Sequence, residues 1–264
     1  MFNKDILKIK EVFNTIFEEK FLSFYLIGSY AENYAINSSD IDGFIILTSV
    51  TDKEIKNAYK LMEFFWENSL FDLDISIIQD INILTPLNNT EKMDAFLIKN
   101  NSYLFFGKDI KNNIPEINLK DYLDISIKRP IHFISRVRKI KNPSYPIDYP
   151  NKKDPYFGYC NRKILINGKK TKSTKELLVN VGWIATALIA LKAEKMVLNK
   201  NDCLAKYKEY VNDEWFSFIE EIFSFCRNNY EYKIPKNKKD KLKLIELCKK
   251  ALEFENYFLK NIEQ

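Results

Sequence analysis

Two aspartates separated by one residue stand at the head of an apolar run, Asp40-Ile41-Asp42-Gly43-Phe-Ile-Ile-Leu. In a β-strand the side chains of residues i and i+2 point to the same face, so Asp40 and Asp42 share a face and Ile41 points into the core. Carboxylates whose Cα atoms lie about 7 Å apart are poorly placed to share a proton. They suit Mg²⁺, which is usually held by one or two carboxylates together with substrate phosphates. The pair therefore predicts a magnesium site that serves a phosphate-containing substrate.

A glycine and a serine, Gly28-Ser29, follow another apolar run at residues 21–27. At a strand-to-helix turn such a pair offers backbone N–H groups and a hydroxyl to a phosphate, and glycine allows the backbone to approach a ligand closely. The alternative is that Gly28-Ser29 forms an ordinary turn and the two aspartates merely end an edge strand. That alternative leaves the apolar flanks and a third acidic position unexplained.

The third acidic position lies on the next strand candidate, residues 70–78, which carries Asp72 and Asp74. The two side chains share a face of that strand. Asp74 is the one flanked by the apolar run, so we assign the third carboxylate of a two-metal site to Asp74.

Hydrophobic periodicity in the first half alternates between helix and strand. The predicted elements are a helix at 4–18, strands at 21–27 and 41–47, a helix opened by a capping box at Thr51 and Glu54, a strand at 70–78, a helix at 91–99 and a strand at 103–106 stopped by Gly107. This order indicates an α/β or α+β domain, and we predict the α+β class, with helices that flank a mixed sheet.

The second half is predicted to be helical and to contain no strand. Its predicted elements are a helix at 119–140, a helix opened by a second capping box at Ser173 and Glu176, and helices at 200–211, 213–228 and 238–262. Prolines cluster between the first two of these helices. We therefore predict an N-terminal domain at 1–141, a proline-rich connecting segment at 142–172 and a helical bundle at 173–264.

Composition excludes several classes of protein. With 46% hydrophobic and 29% charged residues among 264, the chain is globular rather than disordered. No run of about 18 or more apolar residues is evident, so we expect no membrane-spanning helix and no membrane partner. The N-terminal residues do not have the sequence pattern of a signal peptide. The net charge of +5 suits an anionic ligand or nucleic acid, although a lysine-rich surface alone gives the same value.

The cysteines and the histidine restrict the kinds of metal site and catalytic mechanism that the chain could have. Cys160, Cys203, Cys226 and Cys248 are widely spaced and form no CxxC pair. We interpret them as reduced thiols of a cytoplasmic protein with no zinc site. His132 is the single histidine, which excludes histidine-rich metal sites and argues against a Ser-His-Asp triad.

The order Gly28-Ser29, then Ser39-Asp40-Ile41-Asp42, then Asp74 resembles the signature of the DNA polymerase β-like nucleotidyltransferase superfamily over about residues 20–110. Within that superfamily the layout looks like the aminoglycoside adenylyltransferases of the streptomycin and spectinomycin type, although these commonly carry Glu at the third acidic position. The run Tyr103-Leu-Phe-Phe-Gly107 is similar to the strand that ends their catalytic domain, and the helical second half is similar to their second domain.

The resemblance implies Mg²⁺-dependent transfer of AMP from ATP to a hydroxyl of a small molecule, with release of pyrophosphate. The implied acceptor is an aminoglycoside-type antibiotic, and the implied role is antibiotic resistance. Asp40 and Asp42 would hold two Mg²⁺ ions, and Asp74 would ligate the second ion, act as general base, or both. The implied nucleotide-binding residues are Gly28, Ser29, Ser39 and Lys200. Lys200 matches a lysine that contacts the ATP phosphates in those proteins.

Two other functions remain open. A nucleotidyltransferase toxin or defence protein would use the same chemistry on tRNA or protein, with a focused basic surface to bind nucleic acid. A nucleotide-binding regulator would have lost catalysis, and the intact trio counts against it. A polycationic antibiotic would instead require acidic side chains near the acceptor. Candidates for these are Glu209, Asp213, Glu214, Glu220 and Glu221.

Overall fold

A computed structural model of the protein describes residues 4–79, 92–149, 151, 153–198 and 200–263. The chain divides into two compact units. Unit 1 comprises Met1–Ile117 and Leu165–Lys170, and unit 2 comprises Asn118–Ile164 and Thr171–Gln264. Unit 2 therefore begins at residue 118, whereas the sequence analysis places the domain boundary after residue 141. The difference arises because the proline cluster, rather than helix packing, marks the boundary in the sequence.

Unit 1 is an α+β unit, as predicted. Its helices and strands are α1 (Lys4–Phe17), β1 (Phe21–Leu26), α2 (Gly28–Ala31), β2 (Ile41–Leu47), α3 (Asp52–Glu67), β3 (Leu73–Ile78), α4 (Lys92–Asn101) and β4 (Tyr103–Gly107). The strands form a mixed sheet in the order β3-β2-β1-β4. β1 runs antiparallel to β2 and to β4, and β2 runs parallel to β3.

The core of unit 1 lies between helices α1 and α3 and one face of the sheet. Phe13 and Phe17 of α1 and Ala58 of α3 pack with Phe24 and Ile45 from the sheet. Burial of such side chains stabilises the unit by about 1.5–3 kcal/mol for each large one. The predicted capping box of α3 is confirmed, because the backbone N–H of Thr51 donates to Glu54 and the Thr51 hydroxyl accepts from the backbone N–H of Glu54.

Unit 2 contains the helices predicted for the second half. They are α5 (Leu119–Arg138), α6 (Lys175–Ala193), α7 (Lys200–Tyr210), α8 (Phe216–Phe223), a π-helical turn (Ser224–Asn229) and α9 (Lys238–Ile262). α6 packs against α5, α7, α8 and α9 and is the central helix of the unit. Val181, Ile184 and Leu188 on α6 are fully buried.

Two predictions for residues 163–176 are wrong. The segment contains a two-stranded hairpin, β5 (Lys163–Ile166) and β6 (Lys169–Lys172), where no strand was expected. The second capping box does not form, because both of its side chains have other partners. The Ser173 hydroxyl donates to the carbonyl oxygen of Arg162 at 2.9 Å, and Glu176 accepts from Arg136.

One helix, α6, bears on the expectation that the chain has no membrane-spanning helix. α6 is long and apolar enough to cross a membrane by length and composition alone. However, 67% of its apolar stretch is buried inside the protein. Its buried side chains include the polar Asn180 and the charged Glu176. Its position as the central helix of unit 2 accounts for its apolar composition.

All four cysteines are free, buried thiols. Burial raises the pKa of the Cys203 thiol to about 11 and that of the Cys226 thiol to about 12. Because the thiolate is the reactive form, we expect no rapid reaction of the native protein with a thiol-disulfide reagent near pH 8, and reaction of all four thiols after unfolding in guanidinium. A rapid native reaction would contradict the burial, and fewer than four thiols in the unfolded, unreduced protein would reveal a disulfide.

Candidate metal site

The three predicted aspartates come together in unit 1. One carboxylate oxygen from each of Asp40, Asp42 and Asp74 lies within 4.8 Å of the others. Asp40 is buried, Asp42 is half-buried and Asp74 is exposed, so the cluster extends from the protein interior to the surface. Within the part of the chain that the structure describes, this is the one set of three metal-ligating side chains at such spacing.

Strand register explains why the three carboxylates meet. Asp42 and Asp74 are direct partners across the parallel pair β2 and β3. Asp40 lies two residues before Asp42 and therefore faces the same side. Ile41 points the opposite way and is only 5% exposed, in the hydrophobic core. A shift of one residue in either strand would turn an aspartate toward the core, so core packing fixes the cluster.

Backbone hydrogen bonds join the three segments of the site. The N–H of Ile27 donates to the carbonyl oxygen of Asp42 at 3.0 Å, and the N–H of Ile41 donates to that of Asp72 at 2.9 Å. The first bond holds the start of α2 against β2, and the second continues the pairing of β2 with β3. Asp72 thus contributes a backbone contact, and its side chain is not a member of the carboxylate cluster.

Gly28 lies directly against the carboxylate of Asp42. A Cβ atom at position 28 would be 2.9 Å from Oδ2 of Asp42, and Gly28 has a φ of +63°, in the left-handed region that favours glycine. Ser29 follows it and is 8% exposed. The structure therefore brings Gly28 against the face of β2 that carries the Asp42 carboxylate.

Ser39 shapes the turn that leads into the cluster. Its hydroxyl accepts a hydrogen bond from the backbone N–H of Ile36 at 3.0 Å, and its own N–H donates to the carbonyl oxygen of Ile36 at 2.9 Å. This short turn presents Asp40 at the start of β2. The nucleotide-binding role predicted for Ser39 stays a prediction.

One residue that supports the site was missed in the sequence. A Cβ atom at Gly43 would lie 2.6 Å from the carbonyl oxygen of Tyr25, so only glycine allows β1 and β2 to pair at this point. Gly43 directly follows Asp42 and thereby keeps that strand in place. The available signal was a glycine inside an apolar strand, which often marks a close backbone approach.

Other predicted positions lie in unit 2. Lys200 is the first residue of α7, and its side chain lies outside the described part of the structure. Of the acidic candidates for binding a cationic acceptor, Asp213 accepts hydrogen bonds from Tyr207 and Lys192, and Glu221 forms an ion pair with Lys243. Both carboxylates thus already have partners within unit 2.

The carboxylate cluster fits hard divalent cations. Mg²⁺ binds oxygen at about 2.1 Å, so two ligands on opposite sides of one ion are about 4.2 Å apart. Two-metal sites place their ions about 3.5–4 Å apart and use carboxylates on both. Three carboxylate oxygens within 4.8 Å of one another match these dimensions. The all-oxygen donor set favours Mg²⁺ or Mn²⁺ over Zn²⁺, which prefers nitrogen and sulfur ligands.

Comparison with known proteins finds a similarity of fold and none of sequence family. No family model matches the chain, and no curated protein sequence matches it. Among solved structures it is similar to the spectinomycin adenyltransferase AAD(9) from Enterococcus faecialis, crystallised with ATP and spectinomycin. The TM-score is 0.59, the similarity covers 96% of this chain and 98% of that chain, and the sequence identity is 11%.

The chain has the fold of that adenyltransferase. The shared fold confirms the predicted α+β architecture with a mixed sheet, flanking helices and a helical C-terminal region. It extends over nearly the whole of both chains, so both halves of the sequence take part in the similarity.

Proposed function

We propose that this protein is a nucleotidyltransferase that moves AMP from ATP to a hydroxyl of a small molecule and releases pyrophosphate. The observation that carries the proposal is the carboxylate cluster of Asp40, Asp42 and Asp74 beside Gly28. Its support is the fold shared with an adenyltransferase whose crystal contains ATP and spectinomycin. Fold alone does not determine chemistry, so the site residues are what connect this chain to the reaction.

The three aspartates would hold one or two Mg²⁺ ions, which would supply charge neutralisation at the triphosphate and a lower pKa for the acceptor hydroxyl. In the proposed site, Gly28 and Ser29 would offer their backbone N–H groups and the Ser29 hydroxyl to a phosphate of the nucleotide. Asp74 is the exposed member of the trio, and its carboxylate is accessible to take the proton of an incoming hydroxyl as general base. Pyrophosphate is then the leaving group.

The proposed acceptor is an aminoglycoside-type antibiotic or spectinomycin, which would make the protein an antibiotic-resistance enzyme. The presence of spectinomycin in the crystal of the structural neighbour supports this choice. Four free thiols are in keeping with the proposed cytoplasmic location. The competing acceptors are tRNA and protein.

Labelled ATP distinguishes this reaction from related ones. The protein is incubated with Mg²⁺, a panel of aminoglycosides plus spectinomycin, and ATP labelled at either the α- or the γ-phosphate. We expect the α-label to appear on the antibiotic and the γ-label in pyrophosphate, with EDTA abolishing both. A γ-label on the antibiotic would identify a phosphotransferase and contradict the proposal. An α-label that appears only on added tRNA or protein would identify that macromolecule, and not the antibiotic, as the acceptor.

Gly28→Ala tests the contact between α2 and Asp42. A left-handed alanine costs about 1 kcal/mol of stability, and the added methyl group also displaces the Asp42 carboxylate. We expect a fall in kcat of about 10²-fold, because a ligand displaced by about 1 Å can have that effect. Gly168→Ala is the matched control, since Gly168 has a φ of +71° with no atom within 4 Å of the added Cβ. Equal activity losses in both variants would show that backbone strain, not Asp42, is responsible.

The assignment of the third carboxylate is tested by paired substitutions on one strand face. Asp74→Asn removes a cluster member, and we expect kcat to fall by about 10²-fold or more. Asp72→Asn changes the neighbouring aspartate outside the cluster, and we expect kcat to change by less than about 10-fold. Steady-state kinetics on both folded variants provide the comparison. A larger fall in kcat for Asp72→Asn than for Asp74→Asn would assign the third carboxylate of the site to Asp72.

A further inference from the structure

A groove with a volume of about 330 Å³ lies on unit 2. Its walls come from α9 and from the proline-rich segment, and the lining residues are Glu253, Asn256, Tyr257 and Lys260 on the helix and Tyr145 and Pro146 on the segment. The helical residues follow the spacing i, i+3, i+4 and i+7, so they share one face of α9. The volume is at the lower end of the range for small-molecule sites.

Hydrogen bonds join the two walls of the groove. The side-chain amide of Asn256 accepts from the backbone N–H of Ile147 at 2.8 Å and donates to the carbonyl oxygen of Ile147 at 2.9 Å. The carboxylate of Glu263 accepts from the backbone N–H of Tyr145 at 2.8 Å. These bonds hold the segment against the helix before any ligand binds. A ligand therefore does not have to order this wall, which lowers the entropic cost of binding.

Aromatic rings contribute to both walls. The Tyr257 hydroxyl donates to Asp213 at 2.8 Å and accepts from Lys192, whose ammonium lies 3.0 Å from Asp213. These bonds engage the hydroxyl and hold the ring, so Tyr257 offers a ligand the apolar surface of its ring. Tyr145 on the other wall is 44% exposed. The groove can thus pack an apolar or aromatic group between α9 and the segment.

The two charged residues of the groove are available for pairing. Within the residues that the structure describes, neither the Glu253 carboxylate nor the Lys260 ammonium has a hydrogen-bond or ion-pair partner. Both residues are exposed. They lie two turns apart on α9, a distance of about 10.5 Å along the helix axis, and Tyr257 lies between them. The groove therefore has a negative charge toward one end, a positive charge toward the other and an aromatic ring between them.

We propose that this groove binds a small zwitterion of the kind represented by a short peptide with free termini. Its ammonium group pairs with Glu253, its carboxylate pairs with Lys260, and its apolar body packs against Tyr145 and Tyr257. An extended tripeptide spans about 10 Å, which matches the separation of the two charged residues. A ligand with charge of one sign only would meet a like charge at one end of the groove, so charges of both signs are complementary to it. The proposal concerns unit 2 alone and does not depend on the transfer reaction proposed above.

Titrations followed by saturation-transfer difference NMR test the proposal with the tripeptide Gly-Phe-Gly. Two capped forms accompany it: the N-acetylated form lacks the ammonium group, and the C-amidated form lacks the carboxylate. We expect the uncapped tripeptide to bind about 5-fold more tightly than either capped form, since one exposed ion pair contributes up to about that factor.

Substitutions locate the binding in the groove. Glu253→Gln should weaken binding of the uncapped tripeptide by about 5-fold and should not weaken binding of the acetylated form, which has no ammonium group. Lys260→Gln should likewise weaken binding of the uncapped tripeptide and not that of the amidated form. Tyr145→Ala should weaken binding of all three peptides by about 5-fold, because it removes one aromatic wall. Glu246→Gln is the matched control, since Glu246 is an exposed glutamate of α9 outside the groove, and its affinities should stay within about 2-fold of those of the unsubstituted protein.

The outcomes of these titrations separate the alternatives. A preference for the uncapped tripeptide that is lost in Glu253→Gln and Lys260→Gln, but kept in the control, supports the proposal. Absence of binding of all three peptides at about 10 mM, ten times the Kd of a weak complex, would overturn it. Equal affinities for the capped and uncapped forms, or equal weakening in Glu253→Gln and Glu246→Gln, would also overturn it, because the charges of the groove would then not select the ligand. Thermal unfolding of each variant confirms that it is folded.

Discussion

Asp42→Asn is expected to lower kcat for AMP transfer by at least about 10³-fold, which corresponds to about 4 kcal/mol of transition-state stabilisation. Asp42 is the central member of the trio, because it follows Asp40 by two residues and is the cross-strand partner of Asp74. Asparagine keeps the shape of the side chain and removes one negative charge from the cation site. The loss should therefore affect metal binding and catalysis while leaving the fold intact.

Two measurements accompany this substitution. Single-turnover kinetics report the chemical step, and Mn²⁺ binding followed by electron paramagnetic resonance reports the site without requiring turnover. Asp52→Asn is the matched control, since Asp52 is an exposed aspartate at the start of α3, outside the cluster. We expect that control to keep both Mn²⁺ affinity and kcat. Turnover by Asp42→Asn within about 10-fold of the unsubstituted protein would contradict the proposed mechanism.

Arg138→Met is expected to lower the free energy of unfolding by about 3–5 kcal/mol. The side chains of Arg138 and Glu255 are both fully buried, and Nε of Arg138 donates to Oε2 of Glu255 at 2.7 Å. Arg138 also donates to the carbonyl oxygen of Phe157 and to the hydroxyl of Tyr159. Its removal would leave a buried carboxylate without its cation. Urea-induced unfolding monitored by circular dichroism measures the effect.

The matched control lies on the same helix. Lys128 and its partner Asp124 are both exposed, so Lys128→Met should cost no more than about 1 kcal/mol. Burial raises the pKa of Glu255, while Arg138 lowers it. Without the arginine, the pKa of Glu255 in the folded protein rises further above its value in the unfolded chain. The variant therefore loses stability as the pH increases from the unfolded pKa to the folded pKa of Glu255. The deficit of Arg138→Met should therefore be smaller near pH 5 than near pH 8. Equal losses of stability in Arg138→Met and Lys128→Met would contradict the role of burial.

The candidate site could be predicted because its determinants are local. Alternation along one strand places Asp40 and Asp42 on one face, and the apolar residues between and after them define which face is buried. The pairing of Asp42 with Asp74 follows once β2 and β3 are adjacent, since both strands bury their alternate residues in the same core. The alternation of side chains along each strand thus determines which carboxylates meet.

Features that depend on distant partners could not be predicted in the same way. Arg138 and Glu255 are 117 residues apart, and no local pattern connects them. The motif at Ser173 and Glu176 fits a capping box, yet tertiary partners on other segments take up both side chains. The β5–β6 hairpin is different, because its Asn167-Gly168 turn is a local signal, but the β6 sequence, Lys-Lys-Thr-Lys, lacks the apolar alternation that indicates a strand.

The most direct test of the proposed activity is pyrophosphate release from ATP with Mg²⁺, measured with and without each antibiotic. The unsubstituted protein is compared with Asp40→Ala/Asp42→Ala. The proposed mechanism predicts release that depends on one class of antibiotic and is abolished in the double variant. Antibiotic-dependent release that persists in the double variant would contradict the assignment of the carboxylate cluster as the catalytic metal site.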